Sequence, residues 1–342
     1  MKRRIEGLDI AKGICIILVI IGHTIGSRVP EMGKYGESLR MPFFFIISGF
    51  FFKQYTDKFI LNKNFRRLML PFIATVMVII LRSALKIHGA HEVPKFLSRA
   101  FGQLSYGAVL PIAKSFSIYG FRISPVGPVW FLACLFCASY LFHLVIKIPS
   151  YVGRIAVIAI GIALVIFINQ YFYLPLNIDT AVIALPLLLI GYYFKQIDIL
   201  HKVVISSANS KAILIVILSF IVYIASNYYS VAGIGSRVYN TLLLTYTGGI
   251  AGFICLINLS EYLVRFKALN KVLTFYGKET LVILCIHSLD LFIHYPDLPG
   301  NLIYLFILWR IAVVTIGVLL IKRIPPLKKI FYNLETAQPK PV

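Results

Sequence analysis

Lys12 and His23 lie eleven residues apart in DIAKGICIILVIIGHT, Asp9 to Thr24, a stretch otherwise apolar enough to enter a membrane. At 3.6 residues per turn, eleven positions make just over three turns, so the two side chains share one helix face about 16 Å apart along the axis. Burial lowers the tendency of an imidazole to charge, leaving a neutral ring at His23 able to accept a proton. A helix–helix hydrogen bond is the structural alternative for His23, and snorkelling of the amine to the headgroups is that for Lys12.

A second group comes late in the chain, where His287 and Asp290 are three apart and so neighbours on a helix face, with Ser288 between them in sequence. A Ser-His-Asp hydrolase is not indicated, because adjacent residues of one helix cannot form the required line of contacts and no nucleophile elbow surrounds Ser288. For His287 a packing or hydrogen-bonding role is the structural alternative to a functional one. Arg82 and Arg310 also fall inside apolar stretches, where a cation is either functional or snorkels to the interface.

The elements that must carry these residues follow from composition. The 342 residues are 59% hydrophobic and 14% charged, with mean hydropathy +0.86, which excludes an ordinary soluble domain and predicts a polytopic membrane protein. Apolar runs sufficient for a hydrocarbon core of about 30 Å recur at 10–26, 41–53, 68–86, 128–146, 152–170, 178–194, 211–227, 239–258, 279–295 and 302–322. The second is short. These runs are too uniformly apolar for barrel strands, so the expected fold is all-α with about ten transmembrane helices. Residues 1–330 read as one membrane domain and 331–342 as a short polar tail. The first run lacks a small-x-small cleavage site and is expected to act as a signal anchor.

The formal charge of +21 is spread between the runs rather than gathered in a basic domain, which argues for membrane topology and against nucleic acid. With the N-terminus in the cytoplasm, inner segments hold 22 Lys and Arg and outer segments 9, so both termini are expected to be cytoplasmic. All five cysteines fall in apolar runs and are expected as free thiols, with the Cys134–Cys137 pair one turn of helix. The long outer loop contains His88, His91 and Glu92 but no HExxH, so no metal is expected. It ends in SPVGPVWF, where Trp130 suits the membrane interface.

DIAKGICIILVIIGHT followed by RMPFFFIISGFFF resembles the acyltransferase 3 family, in particular its fucose 4-O-acetylase-like branch. Lys12 and His23 match that family's basic residue, ten residues, histidine; many relatives have arginine at the first position. NFRRLMLPFI resembles its basic cytoplasmic turn, GPVWFLACLF its Trp-containing span and KETLVILCIHS its late histidine segment. Arg40 departs from the branch, which often has histidine there.

The resemblance implies a multi-pass protein of the inner (plasma) membrane, bacterial, that moves an acyl group, acetyl above all, from cytoplasmic acyl-coenzyme A to a sugar hydroxyl of a surface polysaccharide or its lipid-linked precursor. His23 and Lys12 are then the catalytic candidates. Arg66, Arg67 and Lys12 are those for coenzyme A, since arginine grips phosphate with parallel donors; attraction to anionic lipid headgroups is the alternative for the arginines. His287, Arg310, Trp130 and Arg40 are the acceptor-binding candidates. General-base transfer and a covalent acyl-histidine both remain open. The rival function is a flippase or exporter of lipid-linked saccharide.

Overall fold

The computed structural model describes residues 6–26, 36–85, 92–97, 100, 117–118, 121–122, 126–203, 210–229, 233–291, 293 and 302–332. Residues 88, 91 and 333–342 lie outside these, and with them the loop histidines and most of the polar tail. Among the described residues the fold is helical apart from a two-residue antiparallel pair, β1 (Ser117–Ile118) with β2 (Phe121–Arg122).

In chain order the main helices are α1 (Glu6–Gly26), α2 (Glu37–Phe50), α3 (Asp57–Ala84), α4 (Trp130–Ile146), α5 (Tyr151–Ile168), α6 (Ile178–Gln196), α7 (Ser210–Tyr229), α8 (Leu242–Leu263), α9 (Lys267–Lys278), α10 (Thr280–Asp290), α11 (Ile303–Arg323) and α12 (Pro325–Tyr332). Eight are long and apolar enough to cross a membrane, and α9 with α10, bent by 75°, make a ninth if taken as one span. The short run expected at 41–53 is the 14-residue helix α2.

Two boundaries differ most from the sequence reading. The span expected from residue 68 begins at Asp57, because the polar turn DKFILNKN is already helical and passes through a π-turn at Phe65–Met69. The span expected from residue 279 is preceded by α9, whose Lys267, Lys271 and Lys278 lower its hydropathy while Leu273, Tyr276 and Gly277 are buried.

Helices α1, α4, α6 and α8 are half or more buried, whereas α5, α7 and α11 present mostly exposed apolar side chains, as suits an inner bundle with a lipid-facing layer. Lipid tails supply no hydrophobic drive between helices, so close backbone approach at small residues has to hold the bundle. Two reciprocal glycine contacts do this. A Cβ on Gly13 of α1 would fall 2.0 Å from the Leu273 carbonyl oxygen of α9, and one on Gly277 of α9 1.7 Å from that of Asp9. Likewise Gly49 of α2 meets Leu188 of α6, and Gly191 of α6 meets Ile46. The SGF stretch therefore serves packing.

The glycine contact with α9 fixes α1, and the one with α6 fixes α2. The Cys15 thiol also donates to the Arg40 carbonyl at 3.4 Å, joining α1 to α2 between their functional ends. All five cysteines are free.

Candidate active site

The functional candidates fall at two ends of α1. At the Lys12 end a cavity of about 500 Å³ opens between α1, α2, α3, α4, the α9–α10 bend and α12. Lys12, Lys53, Lys63, Arg67 and Lys278 line it, with no Asp or Glu among the described lining residues. Its deeper wall is apolar, formed by Ile16, Phe44, Ile47, Phe131, Leu132 and Leu284. Lys12 is held by Asp9 at 2.6 Å, one turn earlier on the same face, which realises the local pairing that the sequence allows. Arg67 reaches the cavity, but its neighbour Arg66 is exposed and does not line it.

Lys53 and Lys278 were not singled out by sequence, and Lys63 only as a member of the basic group with Lys58, Arg66 and Arg67. The signal available was their position immediately beside apolar runs, which topology alone also explains.

At the other end, His23 sits in the last turn of α1 with an exposed side chain. Its ring faces that of His287 on α10, centroids 5.6 Å apart and planes tilted by 50°. Behind His287, its Nδ1 is 3.7 Å from Asp290 Oδ2, and that oxygen is 3.4 Å from Arg310 Nε on α11. His287 and Asp290 are 1% exposed and Arg310 5%, so the charge on Arg310 is neutralised inside the protein, with Phe306 stacked 4.7 Å from its guanidinium carbon. The structure thus aligns His23, His287, Asp290 and Arg310 from the accessible surface inward.

Arg40 of α2 closes the opposite side. Its guanidinium lies directly on Gly22, where a Cβ would come within 1.2 Å of Nη1, and it pairs loosely with Glu37 at 4.0 Å. Gly22 was missed by sequence, although it directly precedes His23.

Two candidates stand apart from the line of four. Trp130 is 5% exposed, its indole packed where a Cβ on Gly235 would fall 2.6 Å from Cζ2, so it belongs to the buried wall at the start of α4. Arg82 is in the last turn of α3 and half-buried. Ser288 is fully buried and its hydroxyl is occupied, accepting from the Val129 backbone N–H at 2.8 Å and donating to the Leu284 carbonyl at 2.9 Å. Its task is to dock the Gly127–Val129 turn, where Gly127 takes φ +70° against the Ser288 backbone.

Two ionic clusters were also missed. His143 of α4 and Lys147 just past its end both hold the Asp57 carboxylate, with His143 Nε2 at 2.6 Å; His143 is buried, whereas Asp57 and Lys147 are exposed. Arg237 holds Asp179 at 2.8 Å and Asn177 at 2.9 Å, beneath the Tyr173 ring. They pin the starts of α3 and α6. Among the described residues no group of three His, Cys, Asp or Glu side chains is placed to hold a metal ion.

The arrangement suits group transfer across α1: a basic pocket with an apolar floor at one end, and an accessible imidazole backed by a second imidazole, a carboxylate and a guanidinium at the other. Comparison with known proteins agrees. No curated protein and no solved structure matches the chain. Residues 5–322 match the acyltransferase domain of one family over nearly the whole chain, and the protein therefore belongs to the acyltransferase 3 family of membrane acyltransferases.

Proposed function

We propose that this enzyme is an O-acyltransferase of the fucose 4-O-acetylase-like branch, which carries an acetyl group from cytoplasmic acetyl-coenzyme A to a sugar hydroxyl of a surface polysaccharide or its lipid-linked precursor. The observation that carries the reading is the cavity at Lys12. Five lining cations, Lys12 among them paired to Asp9, suit a nucleotide bearing several phosphates, and an apolar floor suits the arm and acyl group attached to it. A flippase for saccharides has no use for that combination.

The Lys12 end is then cytoplasmic, in line with the basic residues that flank the apolar runs on that side. Ile16 is the deepest residue of α1 in the cavity wall, and His23 lies seven residues further, about 10 Å along the axis. The donor's arm has that distance to cover between α1, α2 and α10, past Met41 and Leu284.

At His23 the unprotonated ring nitrogen takes the proton of the acceptor hydroxyl as its oxygen bonds to the thioester carbonyl carbon. The carbon–sulfur bond then breaks, and the proton passes to the leaving thiolate. Arg40, beside His23, supplies positive charge where the carbonyl oxygen becomes an oxyanion. His287 orients the acceptor on the far side of His23, with Asp290 and Arg310 setting its ring.

The test is transfer of label from acetyl-coenzyme A into the surface glycan of cells making wild type, His23→Ala or Lys12→Ala at matched membrane levels, with glycan mass read alongside. The expectation is labelled glycan with wild type, loss of label with His23→Ala and weakened donor use with Lys12→Ala. Label unchanged by His23→Ala, with less surface glycan, would point to export instead.

A further inference from the structure

The donor reading leaves unexplained why the chain continues past its last span into α12. Pro325–Tyr332 has no buried residue of its own, yet its last two side chains, Phe331 and Tyr332, form part of the cavity wall. What brings them there is Glu279. This carboxylate sits at the 75° break between α9 and α10, flanked by the cavity residues Lys278 and Thr280, and is 8% exposed.

Both of its oxygens are taken from other elements. Lys322, at the end of α11, donates to Oε1 at 2.7 Å, and the Tyr332 hydroxyl donates to Oε2 at 2.5 Å. The Lys322 ammonium also lies over the rings of Phe275 and Tyr332, 5.2 and 5.8 Å from their centroids. Burial and the adjoining carboxylate hold the Tyr332 phenol well above its ordinary pKa, so it remains a donor. Three separate elements thus meet on one carboxylate at the rim of the cavity.

We propose that this clasp makes α12 a working wall of the acyl-donor site: Glu279, Lys322 and Tyr332 are positioning residues that hold the C-terminal helix over the bound nucleotide. The inference rests on the donor reading of the cavity. It follows that the charge on Glu279 is spent on Lys322 and Tyr332, which leaves the rim cations for the donor's phosphates. It follows also that affinity falls by the fraction of molecules in which α12 is undocked.

The experiment is binding of labelled acetyl-coenzyme A to the full-length protein in lipid nanodiscs, for wild type, Glu279→Lys, the exchanged pair Glu279→Lys with Lys322→Glu, and Tyr332→Ala, with steady-state donor and acceptor KM measured on the same samples. Glu279→Lys is expected to weaken donor binding roughly tenfold and to raise the donor KM alone. The exchanged pair, which rebuilds the ion pair in the opposite sense, restores binding to within about threefold of wild type. Tyr332→Ala, at the last residue of α12 and only half-buried, weakens donor binding about fivefold and serves where Glu279→Lys does not fold.

Donor binding within twofold of wild type in every variant would overturn the clasp. So would equal losses on donor and acceptor that the exchanged pair does not repair. Absence of binding to wild type itself would instead sink the donor reading on which the clasp depends.

Discussion

Gly22→Ala adds one methyl group beside His23 and deletes none of the groups with a proposed chemical role. The new Cβ would come within 1.2 Å of Arg40 Nη1 and 2.5 Å of its Cζ, where ordinary contact begins near 3.4 Å. The guanidinium must therefore retreat by about 2 Å. Arg40 is 8% exposed, so it moves at the expense of its packing, and overpacking of this kind costs about 1–3 kcal/mol. Against that, alanine is better than glycine inside a helix by about 1 kcal/mol. The net change in stability is small, about 0–2 kcal/mol, and the protein is expected to accumulate and fold.

Catalysis has no such compensation. A displaced oxyanion donor costs about 100- to 1000-fold in kcat, and a shift of this size in a positioned group is of the same order. The donor cavity lies at the other end of α1, so acetyl-coenzyme A binding should stay within about twofold of wild type. The assay is single-turnover transfer from labelled acetyl-coenzyme A in nanodiscs, with donor binding and thermal unfolding measured on the same sample. Transfer at the wild-type rate by folded Gly22→Ala would refute the assignment of Arg40 to the reacting centre. Loss of donor binding along with transfer would refute the separation of the two ends.

Two further outcomes follow from the same contacts. Ser288→Ala removes the acceptor of the Val129 backbone N–H without touching the reacting groups; thermal unfolding should register a loss of about 1–3 kcal/mol while transfer per folded molecule persists, and abolished transfer in well-folded protein would make Ser288 chemical after all. Gly277→Ala drives a Cβ to within 1.7 Å of the Asp9 carbonyl oxygen, a backbone atom that cannot swing aside; the expected result is loss of folded protein in size-exclusion chromatography, and a wild-type elution profile would mean that α1 and α9 are less tightly joined than they are drawn here.

Lys12 and His23 were legible because both lie on one helix, where spacing alone sets their separation. His287 beside Asp290 was legible for the same reason. That His23 meets His287 was not, since 264 positions separate them in the chain and only the packing of α10 against α1 decides the distance. The same holds for Arg237 with Asp179, which the fold buries together, and for Asp57 with His143, which it brings together at the surface, each a pair of ordinary polar residues in the sequence. Hydropathy found the apolar part of every long span but missed α9 and the first turns of α3, because a helix with lysines on one face reads as a loop to any average over all faces. Arg66 and Arg67 looked equivalent in sequence; as consecutive residues of one helix they project in different directions, and only Arg67 lines the cavity.

The shortness of α2 is what makes transfer along α1 geometrically economical. Its 14 residues rise about 21 Å, against a hydrocarbon thickness of about 30 Å. Yet Arg40 near its start touches Gly22 beside His23, and the chain just past its end reaches the cavity through Phe51 and Lys53. Both working ends are therefore drawn in from the membrane faces. Along α1 the cavity already accounts for the step from Lys12 to Ile16, about 6 Å of the roughly 16 Å to His23. What remains is about 10 Å between α1, α2 and α10. Of these, α2 is clamped to α6 by the glycine contacts at Gly49 and Gly191, while α10 meets α9 at the 75° bend and is held by the Ser288–Val129 hydrogen bond and the Asp290–Arg310 pair. The clasp on Glu279 therefore lies at the bend that sets the direction of α10.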